Sequence, residues 1–104
     1  MPAKKPDIPV LDPVVHGQLR LAVLSILSGL DEADFTYLRE RTGSTDGNLS
    51  IHLGKLEDAG YVRSTKAFVG RKPRTTYHMT SRGREALVQY VRQLKAILGQ
   101  GSVD

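Results

Sequence analysis

The side chains of this sequence with the types and spacing to do chemistry fall into two groups, and both suit recognition rather than the making or breaking of bonds. The first is the run from Ser44 to Lys55, STDGNLSIHLGK. Wound as a helix, its 100° step puts Leu49, Leu53 and Leu56 on one face and Gly47, Asn48, Ile51, Gly54 and Lys55 on the other. Short polar and apolar groups near a helix N-terminus match what the edges of base pairs offer in a DNA major groove. Asn48 can pair with adenine, Ile51 can meet a thymine methyl, and Lys55 can reach a phosphate or a guanine. Gly47 lets the backbone approach closely. Ser50 belongs to the same candidate set, and Ser44 and Thr45 stand at the helix start, Ser44 as the expected N-cap and Thr45 within reach of a phosphate. Two residues have two open roles each. Asp46 either caps the helix or accepts from cytosine, and His52, at the flank, either touches phosphate or makes a structural hydrogen bond.

The second group is cationic. Between Gly60 and Arg84 stand Arg63, Lys66, Arg71, Lys72, Arg74, Arg82 and Arg84, with no acidic residue, whereas Asp31 to Asp58 holds seven acidic residues and three basic ones. The formal charge of +4 therefore conceals a segregation. Arg63, Lys66, Arg71, Lys72 and Arg74 fall on or around a candidate hairpin, where they can follow a phosphate backbone by displacing counterions, and the tip GRKPRT can enter or straddle a minor groove. An ordinary solvated turn is the plainer alternative.

Other chemistries lack their residues. There is no cysteine, so disulfides, thiolate metal sites and thiol redox sensing are excluded. His16, His52 and His78 are dispersed without a second ligand at helical spacing, so no metal site is expected. Asp31, Glu32 and Asp34 read as helix caps and solvated charges. No serine has an evident base and orienting acid, and no glycine-rich phosphate loop follows a strand. Neither an enzyme nor a cofactor is expected.

The elements that would position these groups follow from periodicity. The 104 residues suffice for one domain and one core. Residues 1–13, with four prolines, read as an extended arm; 14–98 as the folded domain; 99–104 as a flexible tail. A first helix is expected from Val14 to Leu30, with Leu21 and Leu24 projecting away from its core face. A short second helix runs to Gly43, a third from Ser44 to Gly60, and a hairpin follows, with strands at Tyr61–Val69 and Thr76–Met79 around a long charged tip. Thr80 or Ser81 caps a last helix with a wide apolar stripe: Leu87, Tyr90, Val91, Leu94, Ile97 and Leu98. The fold class expected is mainly α (α+β): a winged helix-turn-helix of three helices, a two-stranded β-hairpin wing and a C-terminal dimerisation helix. Leu21 and Leu24 with that stripe form the expected homodimer interface. No stretch approaches the ~18 apolar residues of a membrane span, and the cytoplasm is the default location.

The run Gly43 to Val62, GSTDGNLSIHLGKLEDAGYV, resembles the recognition-helix signature of MarR- and ArsR-type winged-helix regulators. The pairs Leu49-Ser50 and His52-Leu53 and the ending Lys55 through Val62 carry the likeness. The continuation TKAFVGRKPRTTYHMTSRGREAL looks like the wing and final-helix start of the same group, in which a Thr-x-x-Gly element opens the last helix. The resemblance implies a dimeric transcriptional regulator on double-stranded DNA, on a pseudo-palindromic operator, with the third helix in the major groove and the wing on flanking DNA. It names no small-molecule effector. Two other readings of the same surface stand beside it: a winged-helix module that holds a protein, and a non-specific architectural or RNA binder.

Overall fold

The computed structural model describes residues 8–100. Its elements are α1 (Gln18–Ser28), β1 (Ala33–Asp34), α2 (Phe35–Thr42), α3 (Asp46–Asp58), β2 (Val62–Val69), β3 (Lys72–Met79) and α4 (Ser81–Gln100). This is the expected order of three helices, hairpin and helix, with one short strand added.

α1 begins later than the apolar spacing predicts. Asp12 Oδ1 accepts from the backbone N–H of Val14 (2.8 Å) and Val15 (3.3 Å), which bends Pro13–Val15 into a turn ahead of the helix. Val15 still reaches the core, and Leu11 packs against it, so this stretch of the expected arm is docked. Residues 1–7 of the arm lie outside the described residues, as do 101–104 of the expected tail, whereas 99 and 100, expected in that tail, are the last residues of α4.

α1 touches α2, α3, α4 and β3, and it is the helix about which the others pack. That explains a correction. Leu24, expected to face a second subunit, is fully buried beside Val23 and Leu27 in the protein's own core, and Leu21 packs half-buried against the same cluster. A helix surrounded by its own domain needs apolar residues all round.

The sheet is antiparallel, in the order β1-β3-β2. The sequence predicts two strands; the third, β1, pairs Ala33 with Tyr77 and Asp34 with Thr76. β2 and β3 pair from Val62↔Met79 out to Val69↔Lys72. The tip is shorter than expected. Gly70 and Arg71 alone make the turn, with Gly70 at φ 68°, as the primed two-residue hairpin turns require. Lys72 to Thr75 are therefore strand. Pro73 is tolerated because it lies beyond the reach of β1, where β3 is an edge.

The junction into α4 explains the Thr-x-x-Gly element. Thr80 Oγ1 accepts from the N–H of Gly83 (3.0 Å) and donates to the carbonyl of Gly60 (2.6 Å), while the Thr80 N–H donates to the carbonyl of Tyr61 (3.0 Å). A Cβ on Gly83 would lie 2.1 Å from that Tyr61 oxygen. The threonine caps the helix and the glycine admits the backbone beneath it.

Candidate nucleic-acid interface

α3 forms because Leu49, Leu53 and Leu56 recur at helical spacing and all three are buried. Its start differs from expectation in one residue. Thr45, not Ser44, is the N-cap, its Oγ1 accepting from the Asn48 N–H at 3.2 Å. Ser44 is turned back to share a 2.7 Å hydrogen bond with Thr42. Gly43, at φ 66°, ends α2 and makes the tight turn between the two helices. Arg39 of α2 then donates to Asp46 Oδ1 at 2.8 Å, which neutralises the one carboxylate at the start of α3.

The outward face of α3 is as the periodicity predicts except at Gly54, which is half-buried. Thr45, Asp46, Gly47, Asn48, Ser50, Ile51 and Lys55 are exposed, and Ile51 keeps 58% of its surface in solvent. Beyond the helix's own backbone, Gly47 and Gly54 have no atom of the described residues within 4 Å of where a Cβ would stand. Neither glycine serves packing within the domain, and a glycine inside a helix costs about 1 kcal/mol relative to alanine. The face is thus shallow where the helix could be approached closely.

His52 is fixed more tightly than its neighbours. Arg20 of α1 donates Nη1 to His52 Nδ1 (2.7 Å), Nε to the carbonyl of Val14 (2.6 Å) and Nη2 to that of Pro13 (3.3 Å). A guanidinium has no acceptor, so Nδ1 must accept and the ring proton sits on Nε2. Desolvation, reinforced by the charges of Arg20 and Lys55, holds the imidazole below its ordinary pKa. His52 is thereby a neutral ring with one N–H donor at the edge of the outward face. The structure shows the structural hydrogen bond of the two roles open to it. Sequence reasoning passes over Arg20, since 32 residues separate the partners and no periodicity links them.

The wing carries Arg63, Lys66, Arg71 and Lys72 exposed on its strands and turn. Arg74 is also exposed, but its guanidinium lies 3.0 Å from Asp34 Oδ2 and helps hold β3 to the start of α2. Asp34 does double duty, since its Oδ1 caps α2 through the Tyr37 N–H (2.7 Å).

At the wing root, Tyr61 donates its hydroxyl to Asp12 Oδ2 at 2.5 Å. Burial opposes the charge of Asp12, but the bonds from Tyr61, Val14 and Val15 outweigh it and hold the carboxyl below its ordinary value.

The expected interface stripe on α4 divides. Tyr90 is buried and shares a 2.8 Å hydrogen bond with Nδ1 of His16, and Leu87 and Leu94 pack against the domain's own core. Ile97 is half-buried. Val91 and Leu98 remain exposed, together with Val88, which the heptad-like spacing passes over. Among the described residues no cluster of three or more His, Cys, Asp or Glu could hold a metal ion, and no helix is long and apolar enough to cross a membrane.

Comparison with known proteins agrees with this fold. A protein of Methanocaldococcus jannaschii is 35% identical over 81 residues, which cover 78% of this chain and 88% of that one. Among solved structures, a transcriptional regulator homologue from Pyrococcus horikoshii superposes with a TM-score of 0.80 at 28% identity, covering 86% of this chain and 89% of that chain. The transcriptional regulator BldR from Sulfolobus solfataricus shares the fold, with a TM-score of 0.68 at 23% identity over 84% of this chain and 61% of its own. The family model for the winged helix DNA-binding domain matches residues 19–98, from the start of α1 nearly to the end of α4, and the chain belongs to that family.

Proposed function

We propose that the protein is a homodimeric transcriptional regulator that reads double-stranded DNA by sequence, with α3 in the major groove and the β2–β3 wing on the flanking backbone. The observation that carries this reading is the outward face of α3. Asn48, Ile51 and Lys55 stand exposed on a helix whose other face is fully buried, with two glycines that no internal contact requires. The neighbouring cationic hairpin supports it. Asn48 pairs with adenine, Ile51 meets a thymine methyl, Lys55 contacts guanine or phosphate, and the Nε2–H of His52 donates to a phosphate. Thr45, whose hydroxyl is engaged as the cap, contributes its own backbone N–H at the helix start. The exposed Val88, Val91 and Leu98 of α4 pair with a second copy, which sets two α3 helices about one DNA turn apart on a pseudo-palindromic site.

Selection of bound sequences from random duplex DNA, followed by anisotropy titration at several salt concentrations, tests the reading. The expected result is a motif with two related half-sites and an affinity that falls steeply with salt. Equal affinity for unrelated duplexes would replace sequence reading with architectural binding. Absence of binding, with retention of a protein partner after charge reversal of Arg71 and Lys72, would replace it with a protein-interaction module.

A further inference from the structure

The wing tip carries an aromatic group that the reading above leaves without a task. Phe68 is 74% exposed and its neighbour Val69 58%, two residues and one residue ahead of the turn at Gly70. Large apolar groups left mostly in water at the end of a hairpin bury little against the described residues of their own domain. The cross-strand register says which way they face. Phe68 alternates in phase with Lys66, Ser64 and Val62 along β2, and Val62 and its phase-mate across the sheet, Tyr77, are buried. Phe68 therefore projects from the sheet face that packs on the helices, the side on which α3 lies. Val69, Lys72 and Arg74 share the opposite face.

From the Lys66↔Thr75 pair outward, β3 has no second neighbour among the described residues, and the hairpin extends roughly 10 Å further to the Val69↔Lys72 pair at about 3.3 Å per residue. Its outer end combines an exposed phenyl ring with Lys66, Arg71 and Lys72, and no carboxylate occurs anywhere from Gly60 to Arg84. Cations to hold phosphates on either side of an unpartnered apolar wedge are the combination by which proteins enter a minor groove and part a base step. A second copy fits the tip poorly, since two such cationic ends repel.

We propose that Phe68 is a DNA-contacting residue, which inserts from the wing tip into the minor groove beside the major groove occupied by α3 and bends the duplex there. The proposal rests on the DNA-binding reading above. The ring, rather than the hairpin itself, enters, because an unwidened minor groove of about 6 Å does not admit two strands.

The test uses the full chain and a duplex obtained by selection. Affinity is read by anisotropy and bending by energy transfer between dyes at the duplex ends, for the wild type, Phe68→Ala, Phe68→Leu and Arg71→Ala. The expected result is a loss of about tenfold or more and a reduced bend for Phe68→Ala, with both largely restored in Phe68→Leu, since leucine also serves as a wedge. The slope of log affinity against log salt stays unchanged in Phe68→Ala, which removes no charge, and falls by about one in Arg71→Ala. Wild-type affinity and bend in Phe68→Ala would overturn the proposal while leaving DNA binding intact. A Phe68→Ala defect in self-association in place of bending would assign the ring to a second copy. A wild type that binds no duplex would remove the underlying reading and the proposal together.

Discussion

Gly83→Ala isolates a contact on which the placement of α4 depends. The added Cβ would sit 2.1 Å from the carbonyl oxygen of Tyr61, 2.9 Å from its carbon and 3.0 Å from its Cα, well short of the 3.4 Å at which ordinary contact begins. The opposing atoms are backbone, so no rotamer change relieves the overlap, and α4 must move by about an ångström. Three hydrogen bonds are strung across this junction: Thr80 N–H to Tyr61, Thr80 Oγ1 to Gly60, and Gly83 N–H to Thr80. Overpacking costs about 1–3 kcal/mol, and each hydrogen bond lost or stretched about 1 kcal/mol more. Alanine's better helix propensity returns about 1 kcal/mol. With two of the three bonds lost, the net expectation is a destabilisation of about 2–4 kcal/mol. With a urea slope of about 1 kcal/mol/M for a small domain, the midpoint falls by ~2 M or more. Both proteins are measured at one concentration, since an oligomer's stability depends on it. Gly54→Ala is the control: it lies in the middle of α3 with nothing within 4 Å of its Cβ, and it gains about 0.5–1 kcal/mol. A Gly83→Ala midpoint equal to or above the wild type's would refute the steric reasoning.

Three further outcomes are expected. Because the folded-state pKa of His52 lies below its ordinary value of 6.5, the unfolded chain binds the proton more readily. The Arg20–His52 contribution is therefore complete above pH 6.5 and is lost as the pH falls through the depressed folded value, and His52→Gln flattens that part of the stability–pH curve. A pH profile identical in wild type and variant would show that the folded protein, through desolvation and the charges of Arg20 and Lys55, does not hold the imidazole neutral. Removing two wing cations, Arg71→Ala with Lys72→Ala, lowers the salt slope of duplex binding by about two and weakens all sequences alike, as titration of matched and mismatched duplexes would show. Val91→Glu, on the exposed stripe of α4, gives a folded monomer by light scattering with intact circular dichroism; an unchanged mass at tens of micromolar places the subunit contact elsewhere.

How far the sequence discloses this molecule depends on how one-sided each element is. α3 has a single buried face, so the spacing of Leu49, Leu53 and Leu56 identifies both the core side and the outward residues. α1 is covered by its own domain on several sides, and from sequence alone that looks like a helix awaiting a partner, which is why Leu24 is misread. Tyr90, Leu87 and Leu94 are drawn inward for the same reason. β1 has two residues and hence no period to detect, and Asp34 reads as a helix cap because it is one, besides being a strand residue. Basic composition and Pro73 give Lys72 to Thr75 the look of a loop, although the two-residue turn at Gly70 fixes their register as strand. The exposure of Phe68 has a sequence signal, an aromatic two places before a turn glycine, but its meaning requires knowing that the strands outrun the body of the domain.

The stretch ahead of α1 bears on where this module begins. The family model starts at residue 19, yet Leu11 and Val15 pack in or against the core, Asp12 grips Tyr61, His16 grips Tyr90, and Arg20 holds the carbonyls of Pro13 and Val14. The stretch that the family model matches is thus shorter than the stretch that packs as one body. A chimera cut at the edge of the family match would strand the hydroxyls of Tyr61 and Tyr90, whose partners come from outside it, and would leave Arg20 with His52 alone. A graft that carries residues 11–18 along keeps them paired.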